Sequence, residues 1–313
     1  MAETCKTSPR RLVHSGRVNV DLSAAGAFMA GHARVLDRRR FQLLTGDAYP
    51  SAVLAALDAY RNPDGGYGWA LEADLRSTES QPGAALHAFE VLDDIAPATA
   101  PQAVTLCDWL ASVSLSDAGL PFALPITDAA GCSPWWTQAD PTTSSLHITA
   151  AVTAAAHRVA VHDPAVAKHP WLAEATGYCL AAIQGITDAP HALELAFAMQ
   201  FLDAVHETHP EAAALLDRLA QHIPASGLLH VEGGTEEEAM RPLDFAPIPD
   251  RPVRALFSQG VISAELQRLS DQQQDDGGWT VDFASSSPAA ALEWRGYMTV
   301  RAVSILQRNF GIN

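Results

Sequence analysis

The sequence predicts an all-α fold: an α/α toroid, a barrel of helical hairpins with an N-terminal helix and long rim loops. Three observations point there. Alanine is roughly one residue in six, while β-branched runs are scarce, which favours helix over sheet. Apolar residues recur at the helical period of about 3.6 in about eleven segments. A turn signature also returns along the chain, as it does in arrays built from one repeated unit.

The elements follow in order. After a polar segment, residues 1–20, a first helix is expected from Leu22 to Leu44, capped at Asp21 or Ser23. Tyr49–Tyr60, Pro82–Leu92 and Pro101–Val113 come next, then a Pro- and Gly-rich irregular stretch from Ser114 to Thr142. Helices resume at Thr143–Val161, Pro170–Gln184, Pro190–His206 and Pro210–His222. A second irregular stretch, Pro224 to Pro252, leads to a short helix ending near Phe257, then Ser263–Gln273 and Pro288–Phe310. Proline opens several of these helices, where its missing N–H costs nothing. Residues 21–313 therefore read as one domain, long enough for a sizeable core.

The repeat is visible at two strong copies. Asn62-Pro63-Asp64-Gly65-Gly66-Tyr67 lies in register with Gln274-Asp275-Asp276-Gly277-Gly278-Trp279. Weaker echoes are Asp117-Ala118-Gly119-Leu120 and Ala225-Ser226-Gly227-Leu228. Glycine there supplies the positive φ that ends a helix. Each turn is followed by a helix rich in small apolar residues, suited to burial all round as an inner ring. In these helices His87, His147, Glu194 and Glu293 each follow a leucine, so a common register would point all four at one central cavity.

The formal charge is −16, with 20 Lys+Arg against 36 Asp+Glu, and Lys6 and Lys168 are the only lysines. Nucleic acid and anionic membrane surfaces both need a basic face, so neither is an expected partner. No apolar stretch is long enough for a transmembrane helix. Cys5, Cys107, Cys132 and Cys179 form no CxxC pair, and Met1–Arg11 lacks an apolar leader core, so a cytoplasmic protein with reduced thiols is expected. Oligomeric state is left open.

Leu269-x-x-x-Gln273-x-x-x-Gly277-x-Trp279 resembles the second half of the QW motif of squalene-hopene cyclases. More broadly, Ala48 to Leu306 resembles the terpenoid cyclase and protein prenyltransferase α-toroid superfamily. Residues 61–81 and 272–306 are similar to actinobacterial proteins labelled prenyltransferase-like or squalene-cyclase-like. The resemblance implies a toroid and chemistry on an isoprenoid. The Asp-x-Asp-Asp acid of class II cyclases is absent; Glu72-Ala73-Asp74 is the nearest carboxylate pair outside a turn.

The candidate acid–base residues are Asp244, Glu293, Asp74, Glu72, His87, His147 and Glu194. Asp244 lies among Leu, Phe and Pro, surroundings that raise a carboxyl pKa. Trp135, Trp136, Trp294, Arg295, Phe122 and Arg76 are candidates to shape or bind substrate. No cofactor is expected, although the His/Glu set has donors that could take a divalent metal. Three readings compete: a terpene-cyclase-like enzyme, an isomerase or lyase, acting by acid–base chemistry on an isoprenoid or other apolar small molecule; an α/α-barrel enzyme acting on a sugar with paired carboxylates; and a non-catalytic toroid that binds a lipid-like ligand or a partner protein.

Overall fold

The computed structural model describes residues 20–311; the polar segment 1–20 except Val20, with its Cys5, lies outside them. Fourteen α-helices account for most of the described chain: α1 Leu22–His32, α2 Val35–Leu44, α3 Pro50–Leu57, α4 Pro82–Asp94, α5 Pro101–Val113, α6 Pro134–Thr137, α7 Leu146–Ala160, α8 Pro164–Ala167, α9 Pro170–Gln184, α10 Ala192–Val205, α11 Glu211–Ala220, α12 Pro242–Phe245, α13 Gln259–Asp271 and α14 Pro288–Phe310. A two-residue hairpin pairs β1, Leu229–His230, with β2, Ala239–Met240. The all-α class is as expected, and α5, α9 and α14 keep their expected bounds. None of the described helices is long and apolar enough to cross a membrane.

The first expected helix is broken. Ala33 is extended at φ −80° and ψ 155°, and α2 starts afresh after it. Arg34 explains the break: its guanidinium reaches Asp37 at 2.7 Å and the carbonyls of Ala70 and Leu71 at 3.0 Å each. A continuous helix would carry those bonds away. The two irregular stretches also hold α6, α12 and the β1–β2 hairpin, and the short helix expected to end near Phe257 is a 3-10 turn at Pro252–Leu256.

The repeated turn is a real unit. Asp64, Asp117 and Asp276 each accept, on Oδ1, the N–H two residues on, at 2.9, 3.1 and 3.1 Å. The residue between has positive φ: 95° at Gly65, 68° at Ala118 and 92° at Gly277. The fourth copy sits one residue from where the sequence echo put it. Ser226 takes the Asp role toward the Leu228 N–H, and Gly227, at φ 76°, takes the positive-φ place. The following residue turns inward, and Tyr67, Leu120 and Trp279 are buried. Gly277 is doubly constrained, because a Cβ there would lie 2.1 Å from the Ala24 carbonyl oxygen. Gln273 fastens the same turn to the start of α1: its side chain accepts from the Asp21 N–H at 2.9 Å and donates to the Asp21 carbonyl at 2.8 Å.

Packing runs between successive helix pairs. Helix α7 touches α4, α9 and α10; α2 touches α3, α4 and α14; α10 touches α11 and α12; α13 touches α12 and α14. In α7 the run Ile148–Ala156 is buried throughout, and its alanines let α4 and α10 approach on two sides. Cys107 and Cys179 are buried free thiols in this packing, as expected of small apolar filler.

Candidate functional site

The segment after the first turn is bent hard. Trp69 and Ala70 are both left-handed, with φ 55° and 60°. The reversal is held by Leu71 N–H to Gly68 O at 3.0 Å and Trp69 N–H to Ser77 O at 2.9 Å. Backbone in that region is costly for residues with a Cβ, and it persists only where the surroundings over-determine it. Here Arg34 clamps the carbonyls of Ala70 and Leu71 from the far side. The bend turns Glu72 and Asp74 inward, where both are buried.

Glu72 meets His87 on α4. Its Oε2 lies 2.7 Å from His87 Nε2, and Glu90 Oε2 lies 2.9 Å from Nδ1. The remaining oxygens are taken too: Glu72 Oε1 accepts the Asp74 N–H at 3.1 Å, and Glu90 Oε1 accepts the Tyr297 hydroxyl at 3.0 Å. Burial alone would lower the His87 pKa, but Glu90 and Glu72 override it and push it up to about 9. Burial would likewise raise Glu90, yet His87, Arg40 and Arg158 bring it down to about 2. At neutral pH the unit is an imidazolium between carboxylates. Trp294 and Tyr297 stand edge-on to the imidazole, with centroids at 5.8 and 5.3 Å.

Asp74 is a hub for three separate segments of the chain. Oδ1 accepts from Ser285 Oγ and the Ser286 N–H, both at 3.0 Å, and Oδ2 accepts from Trp294 Nε1 at 2.7 Å. Its carbonyl accepts the Ser133 N–H at 2.8 Å, and Ser133 Oγ meets Ser286 Oγ. The segment at Ser133, the loop at Ser285–Ser286 and α14 at Trp294 thus hang on one residue. Beside it Arg76 forks onto Glu293, at 2.7 and 3.3 Å, and Phe283 stands edge-on to Trp294 at 5.3 Å.

A second group lies at the N-terminal ends of α7 and α10. Trp136 stacks on Phe122 at 4.5 Å, Phe122 leans on His147 at 5.3 Å, and His147 stacks on Phe197 at 4.9 Å. Trp136 also lies over Gly83 at the start of α4, which carries this group to the edge of the first. Burial, with a smaller push from His191, lowers the His147 pKa to about 4. Glu194, one turn before Phe197, is raised by burial, against a pull from His191.

The sequence-predicted residues therefore divide. Glu72, Asp74, Arg76, His87, Glu293 and Trp294 come together; Phe122, Trp136 and His147 form the second group, with Glu194 beside it. The common register of four does not hold. The Gln81 N–H bonds the Tyr67 carbonyl at 2.9 Å, and the Ser145 N–H bonds the Leu120 carbonyl at 2.8 Å. Those matching bonds align Gln81 with Ser145, which places His87 opposite Ala151 and His147 opposite Gly83.

Asp244 is not an isolated acid in apolar surroundings. It pairs with Arg301 at 2.9 Å and accepts the Arg241 N–H at 2.9 Å as a helix cap. Arg295 points away from the group, bonding Asp276 at 2.7 Å and lying 4.5 Å over the Phe28 ring. Trp135 is exposed, unlike its neighbour Trp136. Sequence reading missed Glu90, Tyr297 and Phe197, although each stands three residues after a chosen one, on the same helix face.

Among the described residues no group of three or more His, Cys, Asp or Glu side chains is arranged to hold a metal ion. No model of a known protein family matches the chain, and no curated protein matches it.

Proposed function

We propose that the chain is a terpene-cyclase-like α/α toroid performing acid–base chemistry on an isoprenoid or other apolar small molecule in a central cavity. The ring closure is supported by the order of contacts, α2 to α4 to α7 to α10 to α12 to α13 to α14 and back to α2. It is supported also by half-buried stripes on these helices: Leu86, Glu90 and Asp94; Leu193, Phe197 and Gln200; Trp294, Tyr297 and Arg301. Three bonds join such stripes across the ring, Tyr297 to Glu90, Arg301 to Asp244, and Gln200 to the Asp244 carbonyl.

The observation that carries the chemistry is His87 gripped between Glu72 and Glu90, with Trp294 and Tyr297 edge-on. An imidazolium held there is a proton donor, and the surrounding carboxylates and ring faces favour positive charge developing on a bound substrate. Glu293 with Arg76 and Phe283 would line the approach, and Asp74 would position Trp294. Incubation with squalene, farnesyl diphosphate and geranylgeranyl diphosphate, with products read by mass spectrometry, tests this. A product that disappears in His87→Asn supports it. No turnover, and no apolar ligand retained in native mass spectra of protein taken from its host extract, would sink it.

One observation favours the non-catalytic reading, a toroid that only binds a lipid-like ligand. Both oxygens of Glu72, Asp74, Glu90 and Asp244 are already engaged by the protein. A retained ligand without turnover would select that reading.

A further inference from the structure

Glu90 is contested. Its Oε2 lies 2.9 Å from His87 Nδ1. Burial would raise its pKa, yet His87, Arg40 on α2 and Arg158 on α7 pull it down together. Arg301, on α14, feels the same carboxylate behind its own partner Asp244. Three guanidiniums from three helices thus compete with one imidazole for a single acid. Arginine presents a fork of N–H donors that suits a carboxylate, and it keeps its charge at every accessible pH. Arg40 has donors to offer: its Nε bonds Asp94 at 2.6 Å, while its Nη1 stands 4.0 Å from Asp37. Charge alone gives Glu90 no reason to prefer the histidine.

The contest is decided from α14. The Tyr297 hydroxyl donates to Glu90 Oε1 at 3.0 Å, the oxygen that His87 does not use. With that oxygen anchored, the other is left facing Nδ1. The phenol is itself held in place. Its ring stands edge-on to His87 at 5.3 Å and to Trp294 at 5.4 Å, and the Arg40 guanidinium lies over it at 5.6 Å. That cation–π contact ties Arg40 to the ring face. Burial, and after it Glu90, hold the hydroxyl proton well above the ordinary tyrosine range, so Tyr297 stays a donor at and above neutral pH.

We infer that Tyr297 is a positioning residue for the proposed acid, His87: its hydroxyl fixes Glu90 against the imidazole and keeps that carboxylate from turning to the arginines. The inference rests on the reading of His87 as the proton donor. It makes the charge of that donor depend on a contact between helices, since His87 and Glu90 share α4 while Tyr297 lies 207 residues further along the chain. Without the hydroxyl, Glu90 would leave Nδ1 for an arginine, and His87 would keep Glu72 as its carboxylate partner.

His87 would be titrated by NMR in the full chain, in the unaltered protein, Tyr297→Phe, Glu90→Gln and the double variant. Tyr297→Phe deletes one oxygen and keeps the ring against Trp294 and Arg40; circular dichroism checks the fold. It is expected to lower the His87 pKa by about 1, the worth of one hydrogen bond to a charged group. The double variant is expected to match Glu90→Gln alone, because the hydroxyl acts through Glu90. A hydroxyl that only stiffened the fold would leave the His87 titration where it is. In the unaltered protein, the Tyr297 ring carbon that bears the oxygen should shift in step with the His87 titration, a reading that needs no variant to fold. An unchanged His87 pKa in folded Tyr297→Phe, a double variant that sums the two single effects, or a Tyr297 signal flat through the His87 midpoint would overturn the inference. None of these readings needs a substrate, so their failure leaves the isoprenoid reading standing, and absence of turnover leaves the role of Tyr297 standing.

Discussion

His87 and His147 stand in the first halves of neighbouring helices, both withdrawn from water, yet they titrate in opposite directions. His147 follows burial, with a smaller push from His191, and is held down to about 4 among aromatic rings. His87 suffers the same burial, but two carboxylates within 2.9 Å lift it to about 9. The difference teaches that burial does not decide a histidine's charge; the groups at its two nitrogens do. One histidine is charged and hydrogen-bonded at both ring nitrogens, and the other is neutral and packed among aromatic rings.

The comparison breaks most visibly on the aromatic side. Trp136→Ala removes a buried ring packed on Phe122 and Gly83, and is expected to cost about 3–5 kcal/mol in chemical denaturation. On the polar side Asp74→Ala strands the Ser285, Ser286 and Trp294 donors, with an expected cost of about 2–4 kcal/mol. A loss under about 0.5 kcal/mol in either would mean that side is not organised as described.

Glu90→Gln sharpens the contrast. It removes one of the two carboxylates facing His87, so the His87 pKa should fall from about 9 toward the ordinary histidine value, measured by NMR titration. A pKa unchanged in this variant would show that Glu90 does not set it.

The pH dependence separates the two histidines by sign. The folded pKa of His87 is raised, so its contribution is full below about 6.5 and is lost as pH rises through about 9. The folded pKa of His147 is depressed, so its contribution is full above about 6.5 and is lost as pH falls toward about 4. His87→Asn should flatten the alkaline limb of a stability profile, and His147→Phe the acid limb. Exchange of those two effects would contradict the assignment. The smallest effect is expected at Trp135→Ala, within about 0.5 kcal/mol, because that ring is exposed.

Much of the fold was legible. Prolines at helix starts and the Asp-Gly-Gly turns mark element ends by local chemistry, and local chemistry is what a sequence displays. The break at Ala33 was not legible, because its cause is a bond from Arg34 to carbonyls some 36 residues away. The grouping of Glu72, Asp74 and Arg76 with His87 could be suspected from the short loop that carries the first three just before α4. The register of the four His and Glu positions could not, since it depends on backbone bonds from Gln81 and Ser145 to the preceding turns. Asp244 misled for a related reason: its sequence neighbours are apolar, but its spatial neighbour is Arg301, on α14.

The Gln273 clasp on Asp21 makes the opening turn of α1 part of the last hairpin. End segments ordinarily fray and let their amides exchange with solvent long before the core opens. Here the Asp21 amide should exchange in step with that of Gly277, as one cooperative unit, and Gln273→Ala should uncouple them. The two would then report different opening free energies, although the substituted side chain lies at the surface of the molecule.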